Sequence, residues 1–283
     1  MERPLITLIS PVYNAMPYLA DFLDSLIRQT YRPLQVILTD DGSDDDSLSM
    51  IQKKLPELQE AGLSVKLILS SHKGQAHAIN QMLPLVEGEY LTWCDADDLL
   101  NEESIEKKLL YLQEHKELAM VRSNGLIYDE EKQTAIGEYA KETDKITKDI
   151  FSELLIDQTY CFAGAYMLKR DLLFECYPSK QIPESNEGQN LQLLVPPASR
   201  SLCGYLDEKL HTYRRHAGSH SLKGRSYQEV LGRIKNFTAL KKEILNFCDC
   251  DRNEYEKLIE ENEEKSIREL MKETIKKARN KTE

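Results

Sequence analysis

Asp95, Asp97 and Asp98 fall within four consecutive positions, directly after the apolar run Tyr90-Leu91-Thr92-Trp93-Cys94. Carboxylates this close repel, so one of them tends to keep its proton unless a cation sits among them. In extended chain, residues two apart project to the same side. Asp95 and Asp97 can therefore face one ligand. Hard oxygen donors on so short a motif suit Mg2+ or Mn2+, ions that keep further positions for water and substrate phosphate. The same residues could equally open a turn and cap the following helix, and this stretch alone supports both readings.

A second acidic cluster, Asp40-Asp41-Gly42-Ser43, ends another apolar run. Asp41 is singled out, because a carboxylate there can accept hydrogen bonds from a nucleobase or a ribose. Asp44, Asp45 and Asp46 read better as turn and capping residues, with Ser43 or Asp44 capping the next helix. Lys73-Gly74 sets a cation beside a small residue, which would let phosphates approach; an ordinary solvated lysine is the competing reading. No GxGxxG follows the first apolar run and no GxxxxGK[ST] occurs, so neither a dehydrogenase-type nor a P-loop nucleotide site is indicated. Phosphate is better held here by a metal than by a glycine loop.

The elements that must position these residues come from periodicity. Apolar runs at Leu5–Ser10, Leu34–Thr39, Val65–Leu69 and Tyr90–Cys94 predict four buried, parallel-type strands. Helical spacing at Tyr18, Leu19, Phe22, Leu23, Leu26 and Ile27 predicts the first helix, with Pro17 in its first turn. Further helices are expected up to about Gln59, over Gln75–Val86, and from a cap at Asn101 to about His115. Such alternation predicts a doubly wound α/β sheet, whose ligand binds outside the carboxyl ends of the strands. "SPVYN", "TDDGSDDD", "SSHKGQ" and "DADD" all sit at those ends. Beyond residue 118 the rhythm changes. Met120-Val121 and Leu126–Tyr128 are separate short strand candidates, Thr147 a cap for a helix through Leu155, and Gln189–Val195 a helix stopped by Pro196-Pro197. Lys209–Arg215 alternates like a strand. Apolar stripes then predict two C-terminal helices, one from Tyr227 and one over about Asn253–Lys277.

The 283 residues suit one large α/β domain with an appendage, and the 41% apolar content is enough for a sizeable core. With 37 basic against 48 acidic side chains the net charge is −11, which argues against a nucleic-acid partner. A local lysine or a metal can still reverse the field for a small anion. No run approaches a membrane span, and the N-terminus does not read as a signal peptide. The six cysteines include no CxxC pair, so buried thiols in a reduced, cytoplasmic protein are the better reading than zinc.

"LITLISPVYNAMPYLADFLDSLIRQTYRPLQVILTDDGSDD", "KGQAHAINQMLPLVEGEYLTWCDADDLL" and "YRRHAGSHS" together resemble a family 2 glycosyltransferase of GT-A fold. The likeness is dense over residues 4–115 and patchier to about 221. It implies a Rossmann-like, mostly parallel sheet flanked by helices, with a C-terminal helical extension. Residues 1–221 would form the GT-A domain, 1–118 its donor half and 119–221 its acceptor half, with 222–283 the extension. It also implies inverting transfer from a nucleotide sugar, usually UDP-linked. By position, Pro11 and Tyr13 would line the nucleoside pocket, Asp41 would bind the base, and Asp95 would contact the ribose or sugar. Asp97 would ligate Mn2+ or Mg2+ on the diphosphate. His216 matches the histidine of the family's Tyr-Arg-x-His pattern and would approach the metal or diphosphate, with His220 a nearby competitor.

Inversion needs a carboxylate to take the acceptor's proton. The family's usual acidic pair reads Gln189-Asn190 in this chain, and amides cannot serve as bases. Glu187 is the first choice, Glu184 the second; both could also be plain loop charges. A donor-binding protein with weak or no transfer is the alternative reading. "FAGAYMLKRDLLF" resembles the acceptor-side element, where small residues would let a sugar near the backbone. The acceptor would be a glycan, a lipid-linked sugar or a glycoprotein, the last stage of work lying at the inner face of the membrane when the acceptor is lipid-linked. The C-terminal stripes would pack on the domain or form a homo-oligomer.

Overall fold

The computed structural model describes residues 3–216 and 225–279. The expected strands form as β1 (Ile6–Val12), β2 (Leu34–Asp40), β3 (Leu63–Leu69) and β4 (Tyr90–Trp93). They lie in the order β3-β2-β1-β4 and pair in parallel throughout. Crossover helices join them: α1 (Leu19–Ile27), α2 (Ser47–Glu60) and α3 (Gln75–Met82). Along β1 the side chains divide by the strand's two-residue period. Ile6, Leu8 and Val12 pack with α1 and α2, while Ile9 packs in a second core that includes Ala76, Ile79 and Met82 of α3. Both faces are covered, which is why these strands read as unbroken apolar runs. Pro11 falls beyond the last pairing of β1 with β4, Ile9 with Trp93, so its missing N–H leaves that ladder intact.

The second half of the chain continues the same sheet. It adds β5 (Leu99–Leu100), α4 (Ser104–Glu114), β6 (Met120–Asp129), β7 (Thr134–Glu138), α5 (Glu142–Ile146) and α6 (Phe151–Leu155). Then come β8 (Tyr166–Lys169), α7 (Arg170–Cys176), α8 (Gln189–Ala198) and β9 (Cys203–Arg215). Among the described residues the sheet has nine strands in the order β3-β2-β1-β4-β8-β6-β9-β5, with β7 on β6. The added strands pair antiparallel except for β6 with β9. Residue 118 thus marks a change of connectivity within one continuous sheet. The other boundary, at 221, lies outside the described residues.

Several local expectations are corrected. Met120-Val121 and Leu126–Tyr128 belong to one strand. The polar Ser123-Asn124 between them is buried, and Asn124 stays satisfied by accepting from Gly125 N–H (2.8 Å) and donating to Glu138 (2.6 Å). Thr147 ends α5, its N–H bonding to the carbonyl of Thr143, and Ile150 stands at the start of α6. Pro196 and Pro197 lie inside α8. A proline at 196 leaves the carbonyl of Gln192 without its helical donor, and the Tyr177 hydroxyl donates to that carbonyl instead at 2.9 Å.

The C-terminal stripes form α9 (Tyr227–Ile244) and α10 (Arg252–Arg279). Leu240, Ile244 and Ile259 join the domain core, whereas Met271 and Ile275 stay exposed farther along α10. No helix among the described residues is long and apolar enough to cross a membrane.

Candidate functional site

Asp41 lies at the carboxyl end of β2 and is only 2% exposed. Its carboxylate accepts from the backbone N–H of Lys73 (3.0 Å) and of Gly74 (2.8 Å). Each oxygen keeps one more lone pair. Gly42 and Gly74 sit at φ +73° and +96°, and a Cβ on Gly42 would come within 2.9 Å of His72 N, so glycine lets the two loops close. Above them the Tyr13 and His72 rings stack with centroids 3.9 Å apart. Tyr13 is 44% exposed, and His72 reaches Asp41 at 3.4 Å. Pro11 is buried in β1. The Lys73 side chain is exposed. Ser43 and Asp44 bind the loop after β1, accepting from Asn14 N and Asn14 Nδ2, while Asp45 does both, accepting from Met16 N and, as a capping residue, from Ser47 N at the start of α2 (2.9 Å).

At the end of β4 the three aspartates separate. Asp97 is half-exposed, and its Oδ2 lies 3.0 Å from His216 Nε2, whose ring also packs on Tyr18 at 4.2 Å. Asp98 is buried. Its Oδ1 accepts from Arg214 N (2.8 Å) and its Oδ2 lies 3.0 Å from His211 Nε2. Pairing of β5 with β9, Leu99 opposite Thr212 and Leu100 opposite His211, fixes this meeting across more than a hundred residues of chain. Burial, and next the neighbouring buried Lys108, hold His211 down to about 3, so its imidazole is neutral. Burial, and next the charge of Asp97, push Asp98 well above the usual carboxylate range. Asp95 is raised by burial and then by Asp97 and Asp98. His220 lies outside the described residues.

On the other flank, Glu187 is tucked against Arg233 of α9, which donates Nε to Oε1 (3.1 Å) and Nη2 to Oε2 (3.0 Å). Glu184 is 59% exposed on its side chain and lies 2.8 Å from His77 Nδ1. That hydrogen bond holds its carboxyl below the usual range. Asn190 accepts from the Trp93 indole N–H at 2.8 Å. The amide that stands where the resembled family has an acid therefore clamps α8 onto the last residue of β4, two positions before Asp95. Asn190→Ala is expected to leave that buried N–H unpaired and cost about 1–3 kcal/mol in urea unfolding. Asn190→Asp keeps an acceptor and should cost less; equal stability of Asn190→Ala and the parent chain would refute the clamp.

Tyr13, Asp41 and Gly74 thus lie together past the carboxyl end of β2, and Asp97 meets His216 past that of β4. Asn186 Oδ1 stands 4.0 Å from where a Cβ on Gly74 would be, so the loop carrying Glu184 and Glu187 borders the same space. Residues not anticipated from sequence are His72, Arg233, His211 and Lys108. Lys108 is fully buried, donates to the Gly164 carbonyl and to Ser104 Oγ, and is pulled down to about 7 by burial. A position in "SSHKGQ" was a signal for His72 alone; the others lie in stretches without a motif.

The donor set fits a divalent cation. Asp95 and Asp98 are crowded by carboxylate charge that a cation would relieve. Among the described residues no group of three or more His, Cys, Asp or Glu side chains is placed to hold a metal. Asp97 and His216 would be the protein's share, with substrate phosphate and water completing the shell, as is usual for Mg2+.

A family model described as glycosyl transferase family 2 matches residues 7–175. An uncharacterized glycosyltransferase of Haemophilus influenzae is 35% identical over 150 residues, 52% of this chain and 58% of the relative. The chain thus spans little more than half the length of that relative. Among solved structures, S. aureus TarS 1-349 in complex with UDP-GlcNAc superposes with a TM-score of 0.64 at 18% identity, covering 91% of this chain and 71% of that one. The mannosyltransferase PcManGT from Pyrobaculum calidifontis, in complex with GDP-Man and Mn2+, gives 0.60 at 17% identity, covering 95% and 74%. At these identities the two structures establish a shared fold.

Proposed function

This chain belongs to glycosyl transferase family 2, and from that premise we propose an inverting, metal-assisted transfer of a hexose or N-acetylhexosamine from a UDP-sugar to an acceptor hydroxyl. The acceptor is a glycan, a lipid-linked sugar or a glycoprotein, and the reaction belongs to the cytoplasm, at the inner membrane face for a lipid-linked acceptor. One observation carries the reading. Asp97 and His216, separated by 119 positions, meet at 3.0 Å at the carboxyl end of β4, on the same edge of the parallel sheet as Asp41 at the end of β2. The UDP-GlcNAc in the TarS complex and the Mn2+ in the PcManGT complex support the same assignment.

In this reading the base enters beside the Tyr13–His72 rings, and Asp41 accepts its N–H. A carboxylate already fixed by two amides suits the single N–H of uracil. Asp95 contacts the ribose or sugar. Asp97 and His216 hold Mn2+ or Mg2+, which neutralises charge on the departing diphosphate. Glu187 takes the acceptor's proton. A second reading, donor binding with little transfer, draws on the Asn190–Trp93 clamp, which gives the usual acidic position a structural contact, and on the Glu187–Arg233 pair, which does the same for the first candidate base.

The test is a panel of UDP-glucose, UDP-galactose, their N-acetyl forms, dTDP-rhamnose and a GDP-sugar, with Mn2+, scored by released nucleotide. UDP release from at least one donor is expected; binding without release favours the second reading. In parallel, Asp41→Ala should weaken UDP in calorimetry by ~10- to 100-fold, the range of a lost hydrogen bond to a charged group. An unchanged dissociation constant would remove Asp41 from the nucleoside site.

A further inference from the structure

A cavity of about 300 Å³ opens between α9 and α10, outside the nucleotide crevice. Its walls include Arg233, Phe237 and Lys241 of α9, Asn262 and Ser266 of α10, and Asp157 just past α6. Arg233, Phe237 and Lys241 recur every four positions, so they share one helix face. Two helices meeting along such faces would ordinarily close over apolar side chains. Here Val230 and Ile234 of α9 and Ile259 of α10 give the wall an apolar part, while Asn262, Glu263 and Ser266 add polar groups from α10, and space is left between the helices.

The lining has the chemistry of a saccharide site. The half-buried Phe237 offers a ring to the C–H face of a sugar, steadied by Arg233 with its Cζ 5.6 Å from the ring centroid. Asp157 Oδ2 accepts from Lys241 Nζ (2.7 Å) and from Asn262 Nδ2 (3.1 Å). Its carboxylate is thus oriented by both helices, and the trio presents acceptor and donor together, as neighbouring hydroxyls require. Asp157 holds this place from a left-handed backbone at φ +59°. Arg225 and Glu263 also line the wall; a nucleotide or free phosphate fits less well, because Arg233 and Lys241 are already paired with Glu187 and Asp157. The volume is at the small end of ligand pockets, the scale of a short saccharide rather than of a lipid chain.

Arg233 also connects this cavity to the reaction. It lines the wall and is the residue that grips Glu187. We propose that the cavity between α9 and α10 is a subsite for the acceptor glycan, holding sugar units back from the one that receives the transferred residue. The inference rests on the glycosyltransferase reading above, and it gives the C-terminal helices a role in choosing the acceptor.

The test keeps the two separable. The full chain, with UDP and Mn2+, is applied to an array of bacterial and animal glycans, and UDP affinity is measured alongside. Retention of a defined subset of glycans is expected. Ser266→Trp, which fills the cavity, should lower that retention at least tenfold while UDP affinity stays at the parent value. Asn262→Ala, which removes a donor without adding bulk, should lower it by a smaller factor and guards against a displaced α10. Unchanged retention in both variants, or no glycan retained by the parent chain, would overturn the subsite. Glycan retention without UDP binding would instead sink the donor reading and leave the subsite standing.

Discussion

Asp97→Asn is expected to lower turnover by ~100- to 1,000-fold, the range seen when one group stabilising a developing oxyanion is removed. Departure of a nucleoside diphosphate builds charge on oxygen, and among the described residues the cations near Asp97 already have partners: Arg214 pairs with Asp21 and Glu130. Lys73 is exposed on the loop after β3, Arg233 is committed to Glu187, and Lys108 is buried against the Gly164 carbonyl. The substitution is also mild for the fold. The side chain is half-exposed, and an amide oxygen can keep the 3.0 Å contact with His216. The measurement is a pair of thermal shifts plus turnover. UDP alone should raise Tm equally in Asp97→Asn and the parent chain, while the added increment from Mn2+ should vanish in the variant. A variant that keeps both the Mn2+ increment and full turnover would remove Asp97 from the metal.

The strand ends were legible in sequence because a parallel strand covered on both faces leaves an unbroken apolar run that stops where the ligand begins. "DADD", "TDDGS" and "SPVYN" are visible for that reason. The division of labour among the aspartates was only partly legible. The turn reading of the aspartates holds for the Asp98 backbone, whose N–H bonds to the Asp95 carbonyl (3.2 Å), but its side chain binds β9 through Arg214 N and His211. That partner arrives through the two-residue strand β5, which no periodicity can signal. The deficit at Gln189-Asn190 was legible as a missing acid. What replaces it was not, because the Trp93 contact depends on where α8 lands. Arg233 escaped notice for a related reason: a stripe reading of α9 weighs apolar positions, and Arg233 does its work from the flank of that stripe. His72 needed its left-handed backbone, φ +33°, to lay its ring on Tyr13, a conformation uncommon for a non-glycine residue and invisible in composition.

Glu187→Gln is expected to lower transfer by ~100- to 10,000-fold, the contribution of a positioned general base, with the UDP dissociation constant unchanged. Two carboxylates border the acceptor side, and their surroundings differ. Glu184 is largely exposed, with its hydrogen bond to His77 near the surface. Glu187 is 16% exposed on its side chain and held in one orientation by the Arg233 fork. A fixed carboxylate loses little freedom when an acceptor hydroxyl arrives, and Oε1 keeps a lone pair beyond the one Arg233 uses. If Glu187 is the base, kcat and kcat/KM should fall together in Glu187→Gln, the signature of an interaction made only in the transition state, while Glu184→Gln stays near the parent rate. Arg233→Lys separates structure from chemistry. It keeps the charge but loses the fork, so it should lower the rate by a smaller factor than Glu187→Gln. The reverse ranking of the two glutamates would move the base to Glu184. Full transfer by Glu187→Gln together with Glu184→Gln would place the base outside this loop altogether.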